Sequence, residues 1–385
     1  MPRYHALDAL RATMMLLGLV LHSAASYMQT PLGWVWPYHD ASRSLAFDLL
    51  VFFIHLFRMP VFFIVAGFFA ALLDARDGRH GFVRNRLRRV LLPLCIFWAL
   101  TVPLGGLGFV VAAARVGAPM PWELMPQMSL LEQPILGHLW FLYDLLIFYA
   151  AAVLVVPAAD RLPRGVRQRA GQWCTRLVRP TAVLPLATIT AITLLPMEVP
   201  GLETSAAVAP PLRVLAAYGV FFAFGWLLHA RRDTLPAFAA SWKWTLPAGA
   251  AASASYLAVV AGQPIPDPVL WHVVAVSLNA LSVWLIAFGL IGVFMRYMAT
   301  ATPAGRYLSD ASYWMYLTHL VPITWTAALL ATAAMPAVVK FGIVFGVTTA
   351  LTVVSYHVAV RSTVVGELLN GRRYQRALPR AEAAV

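Results

Sequence analysis

The chain alternates between long apolar runs and short polar breaks. Ten apolar stretches of roughly 18 to 28 residues recur, at about residues 9–28, 46–73, 90–113, 138–158, 181–197, 211–229, 244–261, 270–295, 308–330 and 338–358. At about 1.5 Å of rise per residue, such a run crosses a hydrocarbon layer of about 30 Å as a helix. A membrane strand needs only about 10 residues and strict alternation, so a barrel does not fit. The pattern predicts an all-α fold, a polytopic membrane helix bundle of about ten transmembrane helices, without an internal repeat.

The polar breaks are asymmetric. Arg76, Arg79, Arg84, Arg86, Arg88 and Arg89 fall after the second run, and Arg161, Arg164, Arg167, Arg169, Arg176 and Arg179 after the fourth. Arg231, Arg232 and Lys243 follow the sixth, Arg296 and Arg306 the eighth, and Arg361, Arg372, Arg373, Arg376 and Arg380 the last. With Arg3 and Arg11, 24 of the 29 basic residues lie on one side; Arg43, Arg115 and Lys340 lie on the other, and Arg58 and Arg213 within spans. The positive-inside rule then places both termini in the cytoplasm, as for a bacterial inner-membrane protein. The opposite loops carry Pro, Gly, Trp and carboxylates, as in Trp34-Val35-Trp36-Pro37-Tyr38 and Pro119 to Gln133. Aromatic residues there mark the headgroup interface or stack on sugar rings.

Composition agrees. Apolar residues make up 61% and charged residues 12%, too few to coat a water-soluble surface, so the lipid bilayer is the expected solvent. The net charge of +13 suggests no nucleic acid, because its arginines cluster in loops between spans. Cys95 and Cys174 form no disulfide framework, and no metal-ligand spacing occurs. The charged start and Ser23-Ala24-Ala25 imitate a signal peptide; the run reads instead as an uncleaved first span, since it carries Arg11 and His22 and more spans follow. The expected organisation is a transmembrane domain over 1–371 and a basic, disordered cytoplasmic tail over 372–385.

Ionisable side chains within spans are candidates for chemistry, because lipid penalises them. Arg11 and His22 lie about 16 Å apart on nearly the same face of the first helix, with Asp8 placed to pair with Arg11. The second span carries His55 and Arg58, with Pro60 expected to kink it. Arg58 lies too deep to snorkel and needs a carboxylate, carbonyls or an anionic ligand. The fourth span opens with His138 and Trp140, followed by Asp144; the ninth holds Asp310, Tyr313, Tyr316 and His319. A lone membrane histidine serves equally as a hydrogen bond between helices, and His55 and His319 divide evenly between the two readings.

Five stretches in order resemble the acyltransferase-3 membrane family. They are Leu7-Asp8-Ala9-Leu10-Arg11 through His22; Phe53-Ile54-His55 through Arg58-Met59-Pro60 to Gly67-Phe68; Arg86-x-x-Arg89 before Pro93; His138-Leu139-Trp140-Phe141-Leu142; and Ala311-Ser312-Tyr313 through His319. The likeness covers about residues 4 to 320 and is greatest to the branch that succinylates osmoregulated periplasmic glucans. It implies transfer of an acyl group, succinyl in that branch, from cytoplasmic acyl-CoA as co-substrate to a periplasmic glucan hydroxyl. His22 would be the base and Arg11 would orient a substrate group or the site. Arg86 and Arg89 would hold the acyl-CoA phosphates, and His138 and Trp140 would line the central or outer tunnel. Ala66 replaces the family's usual Ser, which removes one candidate acyl carrier.

Arg58, Trp140 and Tyr316 are alternative oxyanion donors, and direct attack competes with an acyl-His route. Succinyl-CoA and acetyl-CoA are not separated, nor are glucan, lipopolysaccharide, peptidoglycan and glycolipid acceptors. A secondary transporter is the rival class, although the paired inverted repeats common there are missing. The sequence leaves a homo-oligomer open.

Overall fold

The computed structural model describes residues 4–124, 129, 131–300 and 302–374, and is helical throughout, with no strand among those residues. The helices are α1 (His5–Ala25), α2 (Leu45–Arg86), α3 (Leu92–Val116), α4 (Trp140–Asp160), α5 (Arg164–Leu177), α6 (Val183–Leu194), α7 (Leu212–Ala230), α8 (Leu235–Gly262), α9 (Pro268–Tyr297), α10 (Pro303–Thr318), α11 (Leu320–Leu330), α12 (Ala337–Ser355) and α13 (Val364–Asn370). By length and apolarity, 7 of the described segments can cross a membrane, or 8 if the pair α5–α6, bent by 92°, is one span. The molecule is a multi-pass helical bundle.

That test does not reach ten, for local reasons. Runs 46–73 and 90–113 fuse, through a π-helical turn at Leu87–Leu91, into one helical segment of 72 residues. Both of its ends lie at one face. Asp48 binds the backbone of Gln29 and Thr30 beyond the end of α1, and Arg115 bonds to Thr332 beyond α11. α2 carries Pro60 inside it and breaks at Gly78, its non-helical residue, with φ 67° and ψ 174°. Run 308–330 divides at His319 into α10 and α11.

Other expectations are revised. The arginine-rich stretch after the fourth run is the exposed helix α5, a loop no longer. Arg213 sits at the start of α7, paired with Glu198 and Glu203. Lys340, inside α12, is 2% exposed and so is buried rather than at the surface. Arg372 and Tyr374, placed by sequence in a disordered tail, both bind Asp310; 375–385, with Arg376 and Arg380, lie outside the described residues.

Lipid tails solvate leucine as well as a protein core does, so close packing holds such helices together. Gly67 of α2 lies against the Phe222 carbonyl of α7, and Gly225 of α7 against the Ile64 carbonyl of α2; a methyl group on either would enter the other backbone. Leucines such as Leu154, Leu184 and Leu329 stay exposed on the outer surface. Two faces result. Where α1 begins, α10 also begins and α2 reaches its arginines: Ser309 bonds to the Asp8 carbonyl and Tyr313 to that of Arg89. Where α1 ends, residues 26–44 cross over it to α2.

Candidate active site

Near the end of α1, the turn before α4 and the end of α10 bring His138 and His319 to His22. His22 Nδ1 lies 2.7 Å from His319 Nε2. The ring planes differ by 3° and the centroids are 5.0 Å apart. With so short an N···N contact, the imidazoles meet edge to edge in one plane rather than face to face. His319 Nδ1 in turn lies 2.7 Å from the Tyr316 carbonyl oxygen. The end of α10 at Thr318 makes this contact, because the terminal carbonyls of a helix lack partners within it.

This chain fixes both neutral tautomers. A carbonyl only accepts, so His319 Nδ1 carries the proton and donates it. His319 Nε2 is then the acceptor, and His22 Nδ1 must donate. The lone pair of His22 is left on Nε2, which has no hydrogen-bond partner among the described residues. His22 is partly accessible, while His319 is fully buried.

His138 sets its ring at 83° to that of His319, with centroids 5.0 Å apart. Its Nε2 donates to the Leu317 carbonyl over 3.3 Å, and its Nδ1 is buried without a partner. Tyr316 donates its hydroxyl to the His138 carbonyl at 2.9 Å, tying α10 to the start of α4. Trp36, nearly parallel to His22 with centroids 5.6 Å apart, covers another side.

Arg58 of α2 is 8% exposed, and its guanidinium lies where a side chain on Gly18 of α1 would stand. It is within electrostatic range of His22, His55, Tyr218 and Tyr316, yet pairs with no carboxylate among the described residues, and its Nε is buried without a partner. Asp144 of α4 is fully buried, and neither oxygen has a partner. His55 reaches the Leu202 backbone. Trp140 packs on Tyr218 at 5.6 Å and joins the aromatic wall beside the histidines.

The remaining expected residues lie toward the face where α1 begins. Arg11 pairs with Asp8 at 3.3 Å and stacks over Phe69. Arg86 lies over the Tyr149 ring at 5.2 Å, and Arg89 packs against Gly371. One helix links this group to the histidines. Tyr313, bonded to the Arg89 carbonyl at 2.9 Å, precedes His319 by six residues of α10, about 9 Å of rise. A separate pocket of about 290 Å³ opens nearby, with Arg306, Arg361 and three tyrosines but neither Arg86 nor Arg89 in its lining. No group of three His, Cys, Asp or Glu side chains suited to a metal occurs among the described residues.

The bundle encloses a hydrogen-bonded histidine pair, and comparison with known proteins defines the class. The model of the family described as Acyltransferase domain (Acyl_transf_3) matches residues 4–357, and the chain belongs to this family. It is an acyltransferase of the membrane. Among curated proteins it is similar to "Glucans biosynthesis protein C" of Escherichia coli strains SMS-3-5 / SECEC and K12, with 31% identity over 157 residues. That match covers 40% of this chain and 39% of each relative, so it spans about two-fifths of the relatives' length. No solved structure matches at a significant level.

Proposed function

We propose that the chain transfers an acyl group, succinyl in the preferred reading, from acyl-CoA to a hydroxyl of a periplasmic glucan, with His22 Nε2 as general base. The observation that carries this reading is the chain from the Tyr316 carbonyl through His319 to His22 Nδ1, which leaves an unprotonated nitrogen at a partly accessible position. A base held in the correct tautomer contributes on the order of 10²–10⁴-fold. In the same step the acceptor hydroxyl oxygen attacks the thioester carbonyl and its proton passes to Nε2. Collapse of the adduct expels the CoA thiolate, which takes up that proton. His319 acts through His22 as a positioning residue.

The attacked carbonyl oxygen gains charge and needs a donor. Tyr316 already donates its only hydroxyl proton to His138, whereas Arg58 has free N–H groups and no anion beside it. Arg58 is therefore the preferred donor, ahead of Trp140. Arg86 and Arg89 stand at the face with the larger basic surplus, assigned to the cytoplasm by the positive-inside rule, and suit phosphate through their forked donors. Glucan as acceptor and the inner membrane as location follow the relatives and the charge asymmetry.

Purified protein with succinyl-CoA and a glucan tests the reading. The expected result is thiol release matched by a mass gain on the glucan. Sugar movement across vesicles without thioester cleavage would favour transport instead.

A further inference from the structure

Residues 26–44 are fastened more tightly than a connection between two helices requires. Asp40 and Lys340, 300 residues apart in the chain, form an ion pair with Nζ 2.8 Å from each carboxylate oxygen. The side chains are 0% and 2% exposed. Asp40 also accepts from the Tyr38 hydroxyl at 3.0 Å and from the Ser42 amide at 2.8 Å, while its own amide donates to the Ser26 carbonyl. One turn of chain away, the Trp36 indole N–H donates to the Ser26 hydroxyl at 2.8 Å. The indole lies against His22, and Phe109 of α3 packs edge-on behind it at 4.9 Å.

These contacts form one train of force. Lys340 on α12 holds Asp40, Asp40 holds the segment to Ser26, and Ser26 sets the indole over the imidazole. A buried charge pair adds little net stability over an apolar pair of the same volume, but it specifies one arrangement. The arrangement it specifies here is the placement of Trp36.

We infer that Lys340 and Asp40 are positioning residues, a latch that keeps residues 26–44 as a strap over the site, with Trp36 shielding His22 from water and forming the wall against which the carbohydrate acceptor rests. The acceptor part of this inference rests on the acyl-transfer reading; the shielding part does not.

Diethyl pyrocarbonate acylates unprotonated imidazole nitrogens, and peptide mass spectrometry follows His22 in the full-length protein in detergent. Trp36→Ala and Lys340→Met are each expected to raise the rate at His22 roughly tenfold, with Lys340→Arg close to the parent. In the transfer assay the first two raise the KM for glucan and shift thioester cleavage toward hydrolysis, with the KM for acyl-CoA unchanged. If Lys340→Met fails to fold, Lys340→Met with Asp40→Leu removes the latch without an orphan charge, and the same change is expected. An unaltered His22 rate in Trp36→Ala overturns the shield. An altered rate there but not on loss of the ion pair overturns the latch. If labelling changes but no variant or parent cleaves thioester, the enzymatic reading fails while the strap stands.

Discussion

Two buried cations, Lys340 of α12 and Arg58 of α2, are treated in opposite ways. Lys340 is paired with a carboxylate, both of whose oxygens lie at 2.8 Å, and that carboxylate is further held by Tyr38 and Ser42. Arg58 has no carboxylate, although the orphaned carboxylate of Asp144 is buried in the same bundle. Burying a charge without a partner is costly, and a fold that pairs one so completely does not leave the other bare by chance. The difference separates two uses of charge in a membrane protein. The paired lysine shapes the structure, and under the proposed function the bare arginine is available to charge that arrives with the substrate or develops during reaction.

The comparison breaks first on stability. Lys340→Met leaves Asp40 buried and alone, with an expected cost of about 3–5 kcal/mol. Arg58→Met, by contrast, is expected to be neutral or stabilising by about 1–4 kcal/mol while transfer is lost. Thermal unfolding of the detergent-solubilised variants measures both, and equal losses would erase the distinction.

His319→Phe sharpens the contrast within the site. It removes the acceptor that fixes the His22 tautomer and is expected to lower kcat by on the order of 10²-fold, with little change in either KM. Steady-state kinetics with donor and acceptor varied in turn decides this. At the other end of α10, Arg86→Ala with Arg89→Ala is expected to raise the KM for acyl-CoA by about tenfold through the loss of charge-assisted phosphate contacts, leaving the KM for glucan alone.

The smallest expected effect concerns the strap. His39 has both ring nitrogens buried without a partner, and burial, then the charge of Arg43, hold its pKa below the ordinary imidazole value of 6.5. Protonation therefore favours the unfolded chain. The stability is fully present above the ordinary imidazole range and declines as pH falls below it. His39→Gln is expected to flatten that decline by less than about 1 kcal/mol between pH 7.5 and 5.5. Comparing Tm against pH for parent and variant isolates it from the other histidines.

How much of this was legible beforehand depends on distance along the chain. Asp8 and Arg11, three residues apart, were readable as a pair because helix geometry alone makes them neighbours. His22 and His319 were each marked by their cost in lipid, but their hydrogen bond joins residues 297 apart, and periodicity says nothing about which helix faces which. Lys340 fell within the last apolar run, 338–358, but its pairing was not legible, because its partner Asp40 lies in a segment without periodicity. Trp36 read either as a headgroup aromatic or as one that stacks on sugar, and only the strap brings it onto His22. The helical continuity of Leu45–Val116 was not legible, because the arginines that separate its two apolar runs break hydropathy while the backbone continues through a π-helical turn.

The measurement closest to the centre of the account is thioester cleavage coupled to glucan acylation by purified parent and His22→Ala proteins, matched for folding by size-exclusion profile and Tm. The account predicts that the alanine variant folds like the parent and transfers at least about 10²-fold more slowly. A variant that acylates glucan at a rate near the parent's would contradict it.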